Sequence, residues 1–205
     1  MGDAISELTN QQRLCGRREV LLEPQLIPAS PGLYAWYFQE APPGVPLEGC
    51  VTRDGKTLLY LGISPCRPES RQHLRKRIIS HFRGNAGSST LRRTLGLLLA
   101  DTSGFLLRRV GSGKRITLTH AGEQHLDEWM EANAFVCWVP RPTPWTAEAA
   151  LVRAIPCPLN ISANDHHPFA SRLKVLRAQA LREAKEAPIA DERGWSRKHP
   201  MDLRK

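Results

Sequence analysis

Two short apolar runs constrain this chain more than anything else in it: GLYAWYFQ at residues 32–39 and LLYLGIS at residues 58–64. Each is rich in aromatic or branched side chains and bounded by turn residues, so each predicts a buried strand. Period-2 geometry puts Tyr34, Trp36 and Phe38 on one face of the first. In the second it sets Leu58, Tyr60 and Gly62 on one face and Leu59, Leu61 and Ile63 on the other. The APPGVPLEGC segment between the runs is too rich in proline for a central strand. Asp54-Gly55, between Val51-Thr52 and Leu58-Leu59, has the chemistry of a tight hairpin turn.

Helical signals follow. Pro68, Glu69 and Ser70 predict a helix start, with Leu74, Ile78 and Phe82 recurring at helical spacing and Gly84-Asn85 as the stop. Its polar side is cationic: Arg77 and His81 share one face, and Arg71 and Arg75 form a flanking pair. Ser88 or Ser89 caps a helix with Leu91, Leu95 and Leu98 inward, where Arg92 and Arg93 beside the free amides offer a second phosphate contact. FLLRRVGSGKRITL at 105–118 reads as two strand-like stretches joined at Gly111-Ser112-Gly113. GSGK is a turn rather than a phosphate loop, since Lys114 is followed by Arg115 instead of Ser or Thr. Thr119 caps a helix with Leu126, Trp129 and Met130 inward, Ala134 to Val139 predicts a further strand, and Thr146 caps AEAALVRAI before Pro156. Ser171 to Ala187 predicts an amphipathic helix with Leu173, Leu176, Ala180 and Leu181 on one side and mostly basic residues on the other. After Pro188 the polar composition predicts a poorly ordered end. The first 28 residues hold a short helix marked weakly by Leu8, Cys15 and Val20.

Charge adds a partner class. The formal net charge is +9, and its excess is concentrated: residues 67–115 carry 12 Lys and Arg against 2 Asp and Glu. Such a block is the footprint of a polyanion, because each cation that neutralises a phosphate also releases counterions. At 205 residues, 41% hydrophobic and 24% charged, the chain has room for one ordinary domain with extensions and enough apolar content to bury a core. No apolar run approaches the roughly 20 residues of a membrane span, and Met1 to Val20 lacks signal-peptide architecture. Five cysteines without a CxxC pair argue against a disulfide framework or a cysteine zinc site, so a cytoplasmic location is expected. His166-His167 beside Asp165 lack further ligands at suitable spacing and read as a loop.

Taken in order, the pieces resemble the GIY-YIG nuclease superfamily. Gly32-Leu33-Tyr34 stands at a strand start and Tyr60-Leu61-Gly62 on the next strand; Lys76-Arg77-Ile78-Ile79-Ser80-His81-Phe82 follows on a helix, then Glu148, Leu151-Val152 and Pro158-Leu159-Asn160. The resemblance covers residues 31 to about 165. It implies an endonuclease in which Glu148 is the single protein ligand of Mg²⁺ or Mn²⁺ and Arg77 grips the scissile phosphate. It further implies that Tyr34 is the base or water-orienting group with Tyr60 in support, that His81 is a second candidate base, and that Asn160 holds the site together. Arg71, Arg75, Lys76, Arg83, Arg92 and Arg93 are the expected nucleic-acid contacts. The expected partner is nucleic acid, most of all DNA, recognised through structure or weak sequence preference, with no membrane.

The chain departs from the family pattern in three places: a proline-bearing insertion separates the tyrosines, Ile63-Ser64 stands where many members carry a lysine, and residues 86–133 form a larger segment suited to substrate recognition. The expected fold is α/β in the mixed α+β sense, a small, mainly antiparallel three-stranded sheet flanked by helices with a basic C-terminal helix. Residues 1–30 would be an N-terminal extension, 31–170 the nuclease-like domain and 171–205 the basic tail. Two rival readings stand beside it: a non-catalytic nucleic-acid-binding module on the same fold, and an interaction protein whose basic tail docks on an acidic partner.

Overall fold

The computed structural model describes residues 5–11 and 13–197. Seven strands occur among them: β1 (Cys15–Gly16), β2 (Gly32–Phe38), β3 (Thr52–Arg53), β4 (Lys56–Ser64), β5 (Arg108–Val110), β6 (Arg115–Thr117) and β7 (Ala134–Pro140). The helices are α1 (Arg17–Leu22), α2 (Leu74–Arg83), α3 (Thr90–Leu98), the single turn α4 (Ala100–Ser103), α5 (His120–Asn133), α6 (Glu148–Ala154) and α7 (Pro168–Glu186).

The main sheet is antiparallel, with five strands in the order β1-β7-β2-β4-β3, while β5 and β6 form a separate hairpin. The sheet is thus not the three-stranded one expected: its long strands are β7, β2 and β4, at the centre. The two additions are edge strands of two residues each, too short to leave a period-2 signal. β5 and β6 turn through Gly111 and Gly113, both at positive φ, so GSGK is a hairpin connection as its composition predicts.

All seven residues of β2 are buried, as a strand paired on both sides and covered on both faces must be. Tyr34, Trp36 and Phe38 join the larger core, built with α2, α3, α5 and α7. Leu33, Ala35 and Tyr37 face the other, closed by Leu8 and by Leu151 and Val152 of α6. The alternation expected for β4 fails at one end. Trp36 pairs with Tyr60 but Tyr37 pairs with Leu58, so Leu59 is an extra residue. This bulge turns Leu58 to the side of Leu61 and Ile63 and puts Leu59 beside Tyr60.

Two helix starts differ from expectation. α2 begins at Leu74, capped by His73, so Arg71 precedes the helix. Ser89, one of the two serines expected, caps α3 by accepting from the Arg92 amide. Thr146 does not cap α6; its hydroxyl turns back to the Thr143 carbonyl at 2.8 Å. Thr119 caps α5 as expected.

A buried ionic cluster locks the helical layer together. Asp127 on α5, 2% exposed, pairs with Arg92 at 2.8 Å and Arg17 at 3.0 Å, and receives Arg197 Nε at 2.6 Å. Glu123 takes Arg92 Nη2 at 2.6 Å. Beyond α7 the chain stays attached through Ala190 N–H to the Arg109 carbonyl and Arg197 Nη1 to the Gly84 carbonyl. The part of the expected disordered end at 198–205 lies outside the described residues.

Candidate active site

The site is assembled where β2 and β4 run side by side under α2. Tyr34 pairs across the strands with Gly62, and a Cβ on Gly62 would stand 2.7 Å from Tyr34 Cε2 and closer still to its Cζ and hydroxyl oxygen. Gly62 is therefore the floor on which the Tyr34 ring lies. Gly32 has a separate reason: its Cβ would meet the Val139 carbonyl and stand 2.6 Å from Leu74 Cδ1, so β2 starts against β7 and α2 only without a side chain.

From that floor a hydrogen-bonded chain runs upward. The Tyr34 hydroxyl lies 2.9 Å from His81 Nε2 and accepts from Arg77 Nε at 3.3 Å. His81 Nδ1 lies 2.8 Å from Ser89 Oγ, the same oxygen that caps α3. Arg77 and His81 do share one face of α2, as their spacing predicts. His81 is completely buried, ringed by Tyr34, Trp36 and Tyr60 with centroids 5.5, 5.7 and 6.1 Å away.

Burial is the main electrostatic force here. It holds the His81 imidazole well below its ordinary range, and the Arg77 and Arg92 cations push the same way, so the ring is neutral at pH 7. Burial also raises the Tyr34 and Tyr60 phenols, with Arg77 opposing in both cases. Neither tyrosine is a standing phenolate. Tyr60 interacts with both Tyr34 and Arg77, and those phenols in turn raise the guanidinium against the lowering effect of its burial.

Glu148 opens α6 and lies within electrostatic reach of Arg77, Tyr34 and Tyr60. Burial raises its carboxyl above the ordinary value while Arg77 pulls it down. Asn160 works differently: its amide clamps β4, accepting from the Leu61 N–H and donating to the Leu61 carbonyl, both at 2.8 Å. Leu159 N–H adds a bond to the bulged Leu59 carbonyl. The segment after α6 thus satisfies backbone groups along β4 on either side of Tyr60.

The structure thus brings together Tyr34, Tyr60, Arg77, His81 and Glu148, with Asn160 behind them. The six cations expected to meet nucleic acid divide. Arg71, Lys76 and Arg83 are exposed, and Arg75, although it spends Nε on the Ile27 carbonyl at 2.7 Å, lines with His73, Lys76, Ser80 and Arg83 a groove of about 600 Å³ along α2. Arg92 is a correction: it is fully buried in the ion-pair cluster and cannot reach a phosphate. Arg93 is half-used, bracing the Ala86 and Gly87 carbonyls at 2.9 and 2.7 Å. The sequence reading missed Ser89 as the partner of His81, a role hidden behind its capping signal.

Other motifs fall away from the site. His167 caps α7, Asp165 pairs with Lys174, and no group of three His, Cys, Asp or Glu residues poised for a metal occurs among the described residues. All five cysteines are free thiols, and no helix among the described residues is long and apolar enough to cross a membrane.

Residues 32–179 match the family model of the GIY-YIG catalytic domain, which takes in every site residue from Tyr34 to Asn160. No curated protein and no solved structure matches the chain significantly. With its paired strand signatures, its helix-borne arginine and a domain match over well more than half of its length, the chain belongs to the GIY-YIG family of nuclease domains.

Proposed function

We propose that this protein is a divalent-cation-dependent endonuclease that hydrolyses phosphodiester bonds in DNA, directed by substrate structure or by weak sequence preference. The observation that carries the reading is the convergence of a free carboxylate, a guanidinium and a hydrogen-bonded phenol–imidazole pair on one patch of sheet.

The residues suit Mg²⁺ or Mn²⁺. Glu148 has no hydrogen bond or ion pair to any described residue, so its oxygens are uncommitted beside Arg77. A single hard carboxylate is the donor set Mg²⁺ accepts, since it keeps several waters and takes its other ligands from phosphate oxygens. Bound there, the cation would polarise the attacked phosphate and take up charge developing on the leaving oxygen.

The chain's own side chains do the rest. Arg77 gives Nε to Tyr34 and also interacts with Tyr60, and its planar fork offers the remaining N–H groups to the scissile phosphate, a grip that lysine lacks. His81, with its proton on Nδ1 toward Ser89, presents Nε2 as an acceptor. Tyr34 then takes the attacking water's proton while passing its own to His81, which spares it from ionising alone against the pull of burial. The water oxygen bonds to phosphorus and the P–O3′ bond breaks, and the departing O3′ takes up a proton from solvent, leaving 3′-hydroxyl and 5′-phosphate ends. Tyr60 supports Tyr34 and Arg77, and Asn160 fixes the strand that carries Tyr60. Arg71, Arg75, Lys76 and Arg83 contact phosphates rather than base edges, which orients the strand without reading a long sequence.

The test is cleavage of labelled duplex, flap, splayed and DNA–RNA hybrid substrates with Mg²⁺ or Mn²⁺, with a chelator control and Arg77→Ala beside wild type. Cleavage that requires the metal and vanishes in Arg77→Ala is expected. Salt-sensitive binding with no cleavage of any substrate would replace this reading with the non-catalytic binding module.

A further inference from the structure

One residue of α7 is out of character with the face it occupies. Phe169, Ala170, Leu173 and Ala184 are buried there, and Leu176, Ala180 and Leu181 pack against the core that contains Tyr34 and Tyr60. Arg177 stands four residues from both Leu173 and Leu181, inside this apolar stripe. Its sequence neighbours on the outer side, Lys174, Val175, Ala178 and Gln179, are exposed, whereas Arg177 is half-buried.

An arginine in such a stripe is ordinarily explained by an acid. Arg177 has no hydrogen bond or ion pair to any described residue. α7 packs along α3, and Arg177 lies within electrostatic reach of another cation, Arg93 of α3, and of the Tyr60 phenol; burial first and Arg93 second destabilise its charge, with Tyr60 opposing. Arg93 is pinned by the Ala86 and Gly87 carbonyls. Arg177 therefore sits half-buried in an apolar stripe, within electrostatic reach of a second guanidinium and with no counter-anion among the described residues, an arrangement that disfavours its charge until an anion arrives. Tyr60 lies within electrostatic reach of both Arg77 and Arg177, which ties the unpaired Arg177 to the same site.

We propose that Arg177 is a second phosphate-binding guanidinium of this site, holding with Arg93 a phosphate of the bound strand next to the one gripped by Arg77. The inference rests on the nuclease reading and extends it: the C-terminal helix completes the substrate channel instead of merely covering the core.

Arg177→Met keeps the apolar stem and removes the charge, and Arg177→Lys keeps the charge without the fork. Binding of a short labelled DNA duplex is measured by anisotropy across a salt series without divalent ions, with Tm and metal-supported cleavage for each protein. Arg177→Met is expected to weaken binding about tenfold, as for loss of a charge-assisted hydrogen bond. It should also flatten the slope of log K against log salt by about 0.7 to 0.9. Its Tm should hold or rise, because an unpaired, partly desolvated cation has been removed, and Arg177→Lys should keep the slope with weaker binding. An unchanged affinity and slope, or a fallen Tm with an unchanged slope, would overturn the proposal and leave Arg177 a packing residue. The two readings fail separately: wild type that cleaves equally well with Arg177→Met sinks this inference alone, whereas wild type that neither binds nor cleaves sinks both.

Discussion

Gly62→Ala adds one methyl group beneath the Tyr34 ring. The new carbon would lie 2.7 Å from Tyr34 Cε2, whereas carbon atoms in contact settle at about 3.5 to 4.0 Å, so ring or strand must move by roughly 1 Å. Tyr34 is 1% exposed, with His81 packed against its ring, so no open space receives it. A shift of that size takes the hydroxyl out of good geometry with His81 Nε2, now 2.9 Å away, and Arg77 Nε, now 3.3 Å away. Overpacking of this kind costs about 1–3 kcal/mol, and an orphaned buried polar group about 1–3 kcal/mol more. Catalysis suffers further, since a misplacement of about 1 Å at a reacting group is worth about a hundredfold in rate. Single-turnover cleavage of the best substrate, with Tm recorded on the same preparation, should show a folded, less stable protein at about one hundredth of the wild-type rate. A folded Gly62→Ala protein that cleaves at the wild-type rate would refute the idea that the Tyr34 position matters.

Other outcomes follow from the same geometry. Arg92→Met strands Glu123 and Asp127 without their central cation and should cost about 3–5 kcal/mol by thermal or denaturant unfolding, the usual penalty for breaking a buried pair; a loss of DNA affinity with stability intact would mean that Arg92 leaves the cluster to meet phosphate. Because the folded-state pKa of His81 is depressed, the unfolded chain binds a proton that the folded chain does not between the ordinary imidazole value, about 6.5, and the depressed one. Wild type should accordingly lose stability as pH falls below about 6.5, and His81→Gln should lose less over the same window; parallel pH curves for the two proteins would sink the assignment. Asn160→Ala leaves the Leu61 N–H and carbonyl without their clamp and should destabilise by about 2 kcal/mol or more while lowering cleavage, with refolded, fully stable protein counting against the clamp.

What was legible in the sequence depended on how local its cause was. The face shared by Tyr34, Trp36 and Phe38 followed from alternation because β2 is paired without interruption to β7. In β4 the same rule misplaced Leu58, since a one-residue bulge leaves no mark in a run of leucines. Arg77 and His81 could be set on one helix face from spacing alone. Arg92 could not be told from a phosphate contact, because its partners Glu123 and Asp127 stand 31 and 35 residues further on and meet it only through helix packing. The edge strand β1 was invisible for want of length, whereas β3 was marked by the Asp54-Gly55 turn, both of whose residues take positive φ. Arg177 did leave a signal, a charge at apolar helical phase, but it passed as one more cation on a basic tail.

The central claim is that one carboxylate recruits the metal on which phosphodiester hydrolysis depends. The most direct measurement is single-turnover cleavage of a labelled DNA substrate by wild type and Glu148→Gln, titrated with Mg²⁺ and with Mn²⁺, with substrate binding measured alongside. Wild type should cleave in a saturable, metal-dependent manner, while Glu148→Gln binds DNA and fails to cut at any metal concentration. Cleavage by Glu148→Gln with wild-type rate and metal dependence would contradict the account.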